Sequence, residues 1–327
     1  TQDPALLGSL VTMLEGAIDQ APPGKDRWTL RTYVADALRR GGQADASLPL
    51  YSQAAAEAEA AQAWHDLAWI TGNWADALRR TGALAEAKKL HLRSAEAEQQ
   101  AGSPEVEVLG SELEALRIEV QQGEAAQALP KIEERLDQLR TWWQASQDGQ
   151  TVTQAPDTTD LARCLISGLD IARKANQNLE EWQDCLDLLT EKEQVEKAMG
   201  EGPVALAQTR FNQYHPLIKL GRLDKAQAVV EGCFQVHQSA GLVAGEARCL
   251  SALADIRDEQ DDMEQAIALE RQALALRNTL PEPQYRAISH NNLSNYLNKD
   301  GKEDEAKAHF LAAGAYYLVC GYQADLQ

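Results

Sequence analysis

The side chains that usually carry chemistry are present in this chain but dispersed. Its six histidines stand at His65, His91, His215, His237, His290 and His309, and none sits in a His-Glu-x-x-His arrangement. There is no Gly-rich phosphate loop ending in Lys-Ser/Thr, no Gly-x-Gly-x-x-Gly turn and no Gly-x-Ser-x-Gly elbow. Asp255, Asp258, Asp261 and Asp262 crowd one turn but lack the spacing and the bidentate Glu of a calcium loop, so they read as solvated charge. The five cysteines form no Cys-x-x-Cys pair and sit among apolar neighbours, which fits free thiols in a reducing compartment. No catalytic residue, cofactor or metal is assigned from these patterns, and no enzymatic activity is expected.

Charge narrows the partners. The net charge is −19 over 327 residues. Affinity for nucleic acid comes mostly from neutralising phosphates, so a chain this acidic is not expected to bind it. No apolar run approaches the roughly 20 residues that span a bilayer, and Thr1-Gln2-Asp3-Pro4 has neither the basic start nor the apolar core of a signal peptide. A cytoplasmic protein without membrane contact is expected. A start at Thr1 rather than Met fits a piece of a longer protein.

The elements that must position any site are helices. Ala, Leu, Glu, Gln and Arg are good helix formers, and Val/Ile alternations that would mark strands are missing. The stretch Val34-Ala35-Asp36-Ala37-Leu38-Arg39-Arg40-Gly41-Gly42 is nearly repeated at Trp74-Ala75-Asp76-Ala77-Leu78-Arg79-Arg80-Thr81-Gly82. Turn signals recur near 42, 82, 123, 177, 221, 261 and 301, with separations of 40, 41, 54, 44, 40 and 40. Self-similarity at such a period is the mark of a helical array. Each unit reads as helix, turn and helix. Glycine supplies the positive φ at the turn, an acid follows in the first turn of the next helix, and a small residue follows where two helices cross.

Four regions result. Residues 1–24 form an N-terminal cap helix ended by Pro22-Pro23-Gly24. Residues 25–140 carry repeats one to three, residues 141–160 an irregular insertion loop, and residues 161–327 repeats four to seven with a C-terminal helix. The loop, polar and without periodicity, is either disordered or a working contact. Pro49 and Pro130 should make their helices start late or kink, and Pro216 should kink its own. Tyr316, Tyr317 and Tyr322 lie in an apolar C-terminal stretch. Either it packs back on repeat seven, or it meets a second copy or an adjoining domain.

Gly221-Arg222-Leu223-Asp224-Lys225-Ala226 and Gly301-Lys302-Glu303-Asp304-Glu305-Ala306-Lys307-Ala308-His309-Phe310-Leu311-Ala312-Ala313 resemble the Gly-x-x-x-x-Ala-x-x-x-aromatic-x-x-Ala core of the tetratricopeptide repeat family, in its longer variety. The resemblance covers nearly the whole chain from residue 28. Repeats three and four are degenerate, with Arg135 and Trp182 in place of small residues. It implies an all-α fold: a right-handed α–α superhelix of about seven hairpins behind the cap helix.

The resemblance also implies that the first helix of each hairpin lines a concave groove. Register then places Asn73, Asn212 and Asn292 where the family's Asn commonly bonds a bound backbone. Neighbouring groove positions hold Arg39, Arg79, Arg117, Lys174, Lys219 and Arg248, and Asn291, Asn295 and Asn298 extend the polar set. An inward basic lining on an acidic protein would favour an extended partner with acidic or C-terminal carboxylate groups. The expected function is a scaffold that binds a partner polypeptide in this groove. The alternative is a regulatory or sensor block of a larger multidomain protein.

Overall fold

The computed structural model describes residues 4–319. Among these it contains sixteen helices and no strand. The fold class is therefore all-α, built from successive helices joined by tight turns.

The chain divides into two compact units between Glu180 and Glu181. The first holds α1 (Pro4–Gln20), α2 (Lys25–Arg40), α3 (Ala44–Ala60), α4 (Trp64–Arg80), α5 (Leu84–Ala101), α6 (Glu105–Gln121), α7 (Ala125–Gln147) and α8 (Thr158–Asn178). The second holds α9 (Trp182–Ala198), α10 (Pro203–Phe211), α11 (Tyr214–Lys219), α12 (Leu223–Ser239), α13 (Val243–Glu259), α14 (Met263–Arg277), α15 (Pro283–Lys299) and α16 (Glu303–Val319). Helix α1 caps the first unit: Val11, Leu14 and Ile18 pack on Val34 and Leu38 of α2.

A single turn chemistry joins most helices. At the α2–α3 turn, the amide of Gln43 donates to the Leu38 carbonyl at 2.9 Å and Gly42, at φ 81°, donates to Arg39. This is the paired closure that satisfies orphan carbonyls at a helix C-terminus. It recurs within hairpins, as at Gly82, and also between them, as at Gln62. The true punctuation is thus one left-handed residue about every 20 residues, the length of one helix plus its turn.

Small residues set the helix spacing. Five residues past the turn positions 42, 82, 123, 221, 261 and 301 stand Ser47, Ala87, Ala128, Ala226, Ala266 and Ala306, each no more than 1% exposed. One turn further, Tyr51, His91 and Ile132 fill the space beside the next helix and are buried. Phe310 holds the equivalent place in α16 but is 58% exposed, because no further helix among the described residues covers it.

The structure departs from expectation at the insertion and at two of the three prolines. The irregular insertion is shorter than 141–160, since α7 runs to Gln147 and α8 begins at Thr158. What remains, residues 148–157, is docked: Val152 and Ala155 are buried, and the carbonyl of Gln154 accepts from the Val106 amide at 3.0 Å. That bond satisfies an otherwise orphan donor in the first turn of α6. Helices α3 and α7 do not start late, because Pro49 and Pro130 sit inside them. Both prolines are exposed, as are Asp45 and Ala126, whose carbonyls water can satisfy. Pro216 is buried, and there the helix does break: α10 ends at Phe211 and α11 starts at Tyr214. The break falls on Asn212 and Gln213, the carbonyl of Asn212 being the one that the proline ring would strike.

Tyr322 and Cys320 lie outside the described residues. Cys185, Cys233 and Cys249 are buried cysteines outside any disulfide, and Cys164 is half-buried.

The turn chemistry makes a stability prediction. No atom lies within 4 Å of a Cβ built on Gly82, so Gly82→Ala is expected to cost about 1 kcal/mol through backbone strain alone. Asp261 occupies the same conformation at φ 59°, so Asp261→Gly is expected to gain about 0.5 kcal/mol. Urea unfolding midpoints, down for the first and up for the second, check both; equal loss in both would refute the common turn.

Candidate functional site

The first unit contains a polar cavity of about 660 Å³ between α4 and α6, floored by α5. Its form follows from the hairpin arrangement. The first helices of two successive hairpins make the walls, and the second helix of the earlier hairpin lies beneath them. Gly72 and Gly110 keep the walls thin.

One wall, on α4, presents Trp69, Asn73, Asp76 and Arg79. Trp69 is 36% exposed and meets Tyr33 of α2 edge-on, with ring centroids 5.6 Å apart. The Asn73 side-chain amide donates to the Trp69 carbonyl at 3.0 Å. An amide has a second N–H and a carbonyl oxygen beyond that bond. The facing wall, on α6, presents Ser111, Glu114 and Arg117. Arg117 grips Glu114 with two bonds of 2.8 and 3.0 Å and also donates to the Ser167 hydroxyl of α8 at 2.8 Å. Burial pushes the Glu114 carboxyl up, but the bonds and charge of Arg117 outweigh it and hold the group below its ordinary value.

The floor holds His91, Ser94 and Glu98, one face of α5. His91 is 5% exposed, its Nε2 has no hydrogen-bond partner, and burial depresses its pKa, so the ring is neutral. Glu98 accepts from the Ser111 hydroxyl at 3.0 Å through one oxygen, while its other oxygen is buried without a partner. Burial pushes this carboxyl up to about 7, against the Ser111 bond and with help from the like charge of Glu107. The Arg79 Nε is also buried and unpaired.

The expected groove residues fall into separate settings. Asn73, Arg79 and Arg117 are brought together in this cavity. Arg39 is not in a groove. It is 9% exposed and donates to Asp36 at 3.1 Å and to the Tyr51 hydroxyl at 3.3 Å inside its own hairpin. In the second unit, Arg248 lies 3.9 Å over the Phe211 ring and donates to Gln208 at 3.0 Å. Asn212 sits half-buried at the break after α10, and Lys219 is exposed at the end of α11. Asn292 donates to Glu270 at 3.3 Å, part of a buried network in which Glu270 also pairs with Arg277 at 3.1 Å. Asn295 is exposed and Asn291 half-buried.

The basic lining expected of the groove is neutralised at Arg39, Arg79 and Arg117. Asp36–Arg39, Asp76–Arg79, Glu114–Arg117 and Asp170–Arg173 are all acid–arginine pairs three residues apart on first helices. The acid one turn before each arginine cancels the positive field that counting arginines suggests. Asp255 is also not solvated: it accepts from Tyr296 at 2.5 Å and Tyr214 at 3.4 Å, and burial raises its pKa. Asp258 pairs with Lys299.

The residues that sequence reasoning missed are Trp69, Glu98 and Ser111. Glu98 had a readable signal, because Ala87, His91, Ser94 and Glu98 share one helical face and the first three pack inward.

Solved structures with the same arrangement are numerous. BtubC from P. vanneervenii superposes with a TM-score of 0.54 at 15% identity, covering 75% of this chain and 95% of its own. A STAND protein from Pyrococcus horikoshii with a tetratricopeptide repeat sensor superposes at 0.65 with 11% identity, over 97% of this chain and 45% of its own length. This chain thus spans less than half of that protein. The fold is of the tetratricopeptide repeat type. Aspartyl phosphate phosphatase F from Bacillus subtilis carries the same kind of fold, at a TM-score of 0.58 and 10% identity over 92% of this chain and 73% of its own. No protein-family model matches the sequence, and no curated protein matches it. Among the described residues no helix is long and apolar enough to cross a membrane.

Glu98 makes the tetratricopeptide-type unit pH-sensitive. Its folded pKa, about 7, lies above the ordinary carboxyl value, so the folded state holds the proton more tightly. Stability should therefore fall as pH rises from about 4.5 to 7, and Glu98→Gln should stabilise the protein at pH 8 by on the order of 1–2 kcal/mol after solvent screening, with no gain near pH 4. Unfolding midpoints of both proteins across that range check this; a variant gain independent of pH would contradict it.

Proposed function

We propose that the chain is a non-enzymatic interaction module and that the α4–α5–α6 cavity of the first unit is where a segment of a partner polypeptide binds. One observation carries the proposal: the cavity gathers buried polar atoms without partners, on Arg79, His91 and Glu98, beside an exposed tryptophan. An unpaired buried polar atom costs about 1–3 kcal/mol. A bound segment recovers that cost when these side chains turn toward it, and Trp69 and Tyr33 offer it rigid apolar surface. Asn73 offers an amide that can pair with a peptide group irrespective of the side chains it bears.

The alternative, a sensor block of a larger protein, is favoured by a different observation. Nearly the whole chain matches less than half of a protein that carries a tetratricopeptide repeat sensor. In this reading the cavity receives the sensed ligand, and a signalling domain encoded in the same reading frame would support it. An apolar end of α16, with Leu311 63% and Val319 76% exposed beside the half-buried Tyr316 and Tyr317, then meets that domain or a second copy. Light scattering showing a monomer at high concentration, the same for Tyr317→Glu, would count against a dimer there.

The binding proposal is tested on a partner recovered with the wild-type chain. The double variant Trp69→Ala, Asn73→Ala is expected to weaken binding more than about tenfold, while Asn212→Ala and Asn295→Ala leave it unchanged. Affinity unaffected by the first variant, or lost equally in the others, would refute the placement.

A further inference from the structure

Charge pairing inside the first-unit cavity leaves a remainder of one sign. Arg79 stands 3.6 Å from Asp76, and Arg117 grips Glu114. Glu98 belongs to no ion pair. One of its oxygens accepts from Ser111, and the other is buried and unpaired. Two turns away on the same floor helix, about 10 Å along its axis, His91 leaves Nε2 without a partner. The cavity therefore has two unused hydrogen-bonding atoms at its base, one of them on a carboxylate that no cation balances.

Building on the binding role proposed above, we infer that Glu98 is the receptor for an ammonium group carried by the bound segment. A desolvated carboxylate forms its strongest bonds with an N⁺–H donor. The cavity is wide enough for a lysine side chain, whose methylene stem would lie along Trp69 and Gly72 while its head reaches the floor. The ring face of Trp69 adds attraction for a cation passing it. This reverses the polarity expected from the arginines: the partner's anchor is positive.

The charge on Glu98 fixes the sign of the pH dependence. The groups around the cavity are Asp76 and Arg79 on α4, His91 on α5, Glu107, Glu114 and Arg117 on α6, and on α8 Cys164, whose thiol burial pushes up to about 12. Asp76–Arg79 and Glu114–Arg117 form two neutral pairs, Glu107 adds a like charge that raises Glu98 further, and burial lowers the pKa of His91, so Glu98, at about 7, is the group that titrates across this range. An entering ammonium displaces its proton. Binding should therefore tighten as pH rises from 6 to 8, by at most about tenfold per pH unit.

The test is an NMR titration of the full chain, reading the Trp69 indole N–H and the Ser111 amide. The probes are N-acetyl-Ala-Lys-Ala-Ala-amide, the same peptide with acetyl-lysine, and an uncapped Ala-Ala-Ala-Ala-amide. The lysine peptide is expected to bind at least about tenfold more tightly than its acetylated form, and more tightly at pH 8 than at pH 6. Stronger binding of the uncapped peptide would assign the same site to a chain N-terminus instead of a side chain, and would still support an ammonium receptor. Glu98→Gln, with its fold checked by its unfolding midpoint, is expected to lose both the preference and the pH dependence. Equal binding of lysine and acetyl-lysine peptides at this site, or an undiminished preference in Glu98→Gln, overturns the ammonium receptor while leaving the segment-binding role intact. Absence of any shift with all probes at millimolar concentration, together with undiminished partner binding by Trp69→Ala, Asn73→Ala, overturns both.

Discussion

Everything in this molecule depends on how closely one helix can approach the next. Ser47, Ala87, Ala128, Ala226, Ala266 and Ala306 occupy the crossing point in six hairpins, and each is fully buried. A larger side chain there would push the helices apart, and the residues one turn on would no longer fill the gap. The left-handed turn residue about every twenty positions complements this constraint. It closes each helix early enough that the next returns in register, and its paired hydrogen bonds use the carbonyls that the close turn would strand.

The same geometry makes the site. Because first helices stand side by side over the second helix of the earlier hairpin, their facing side chains enclose space that short-range packing does not fill. The degenerate third repeat contributes to it. Glu114, where three other repeats carry Asn73, Asn212 and Asn292, pairs with Arg117 and reaches Ser167. That pairing spends the positive charge of the wall and leaves the floor to decide the polarity. The second unit resolves similar residues differently. Its Asn292, Glu270 and Arg277 are locked together in the interior, and its Asp255 is shared by two tyrosine hydroxyls. These contacts organise structure rather than leave valences open.

The fold was legible because packing residues repeat. Ala75, Leu78, Gly82 and Ala87 echo their counterparts in other hairpins, and period alone identifies them. Site chemistry was only half legible. Asn73, Arg79 and Arg117, placed by register on the faces of first helices, line one cavity, since helical periodicity determines which residues share a face. It could not reveal which charges cancel. The acid three residues before each arginine was visible in the sequence, yet whether the pair closes depends on side-chain packing around it. Glu98 was readable only in part: its place on the packing face follows from helical period, but its desolvation depends on how the neighbouring helices close over it. Pro49, Pro130 and Pro216 make the same point, because the effect of each depended on whether the carbonyl it strands is exposed or buried.

In the proposed function, partner segments enter between α4 and α6. Amide hydrogen exchange of the chain with and without its captured partner measures this directly. Slowed exchange concentrated in residues 64–80 and 105–121 is the predicted result. Protection confined to the second unit, or none in those two helices, would contradict it.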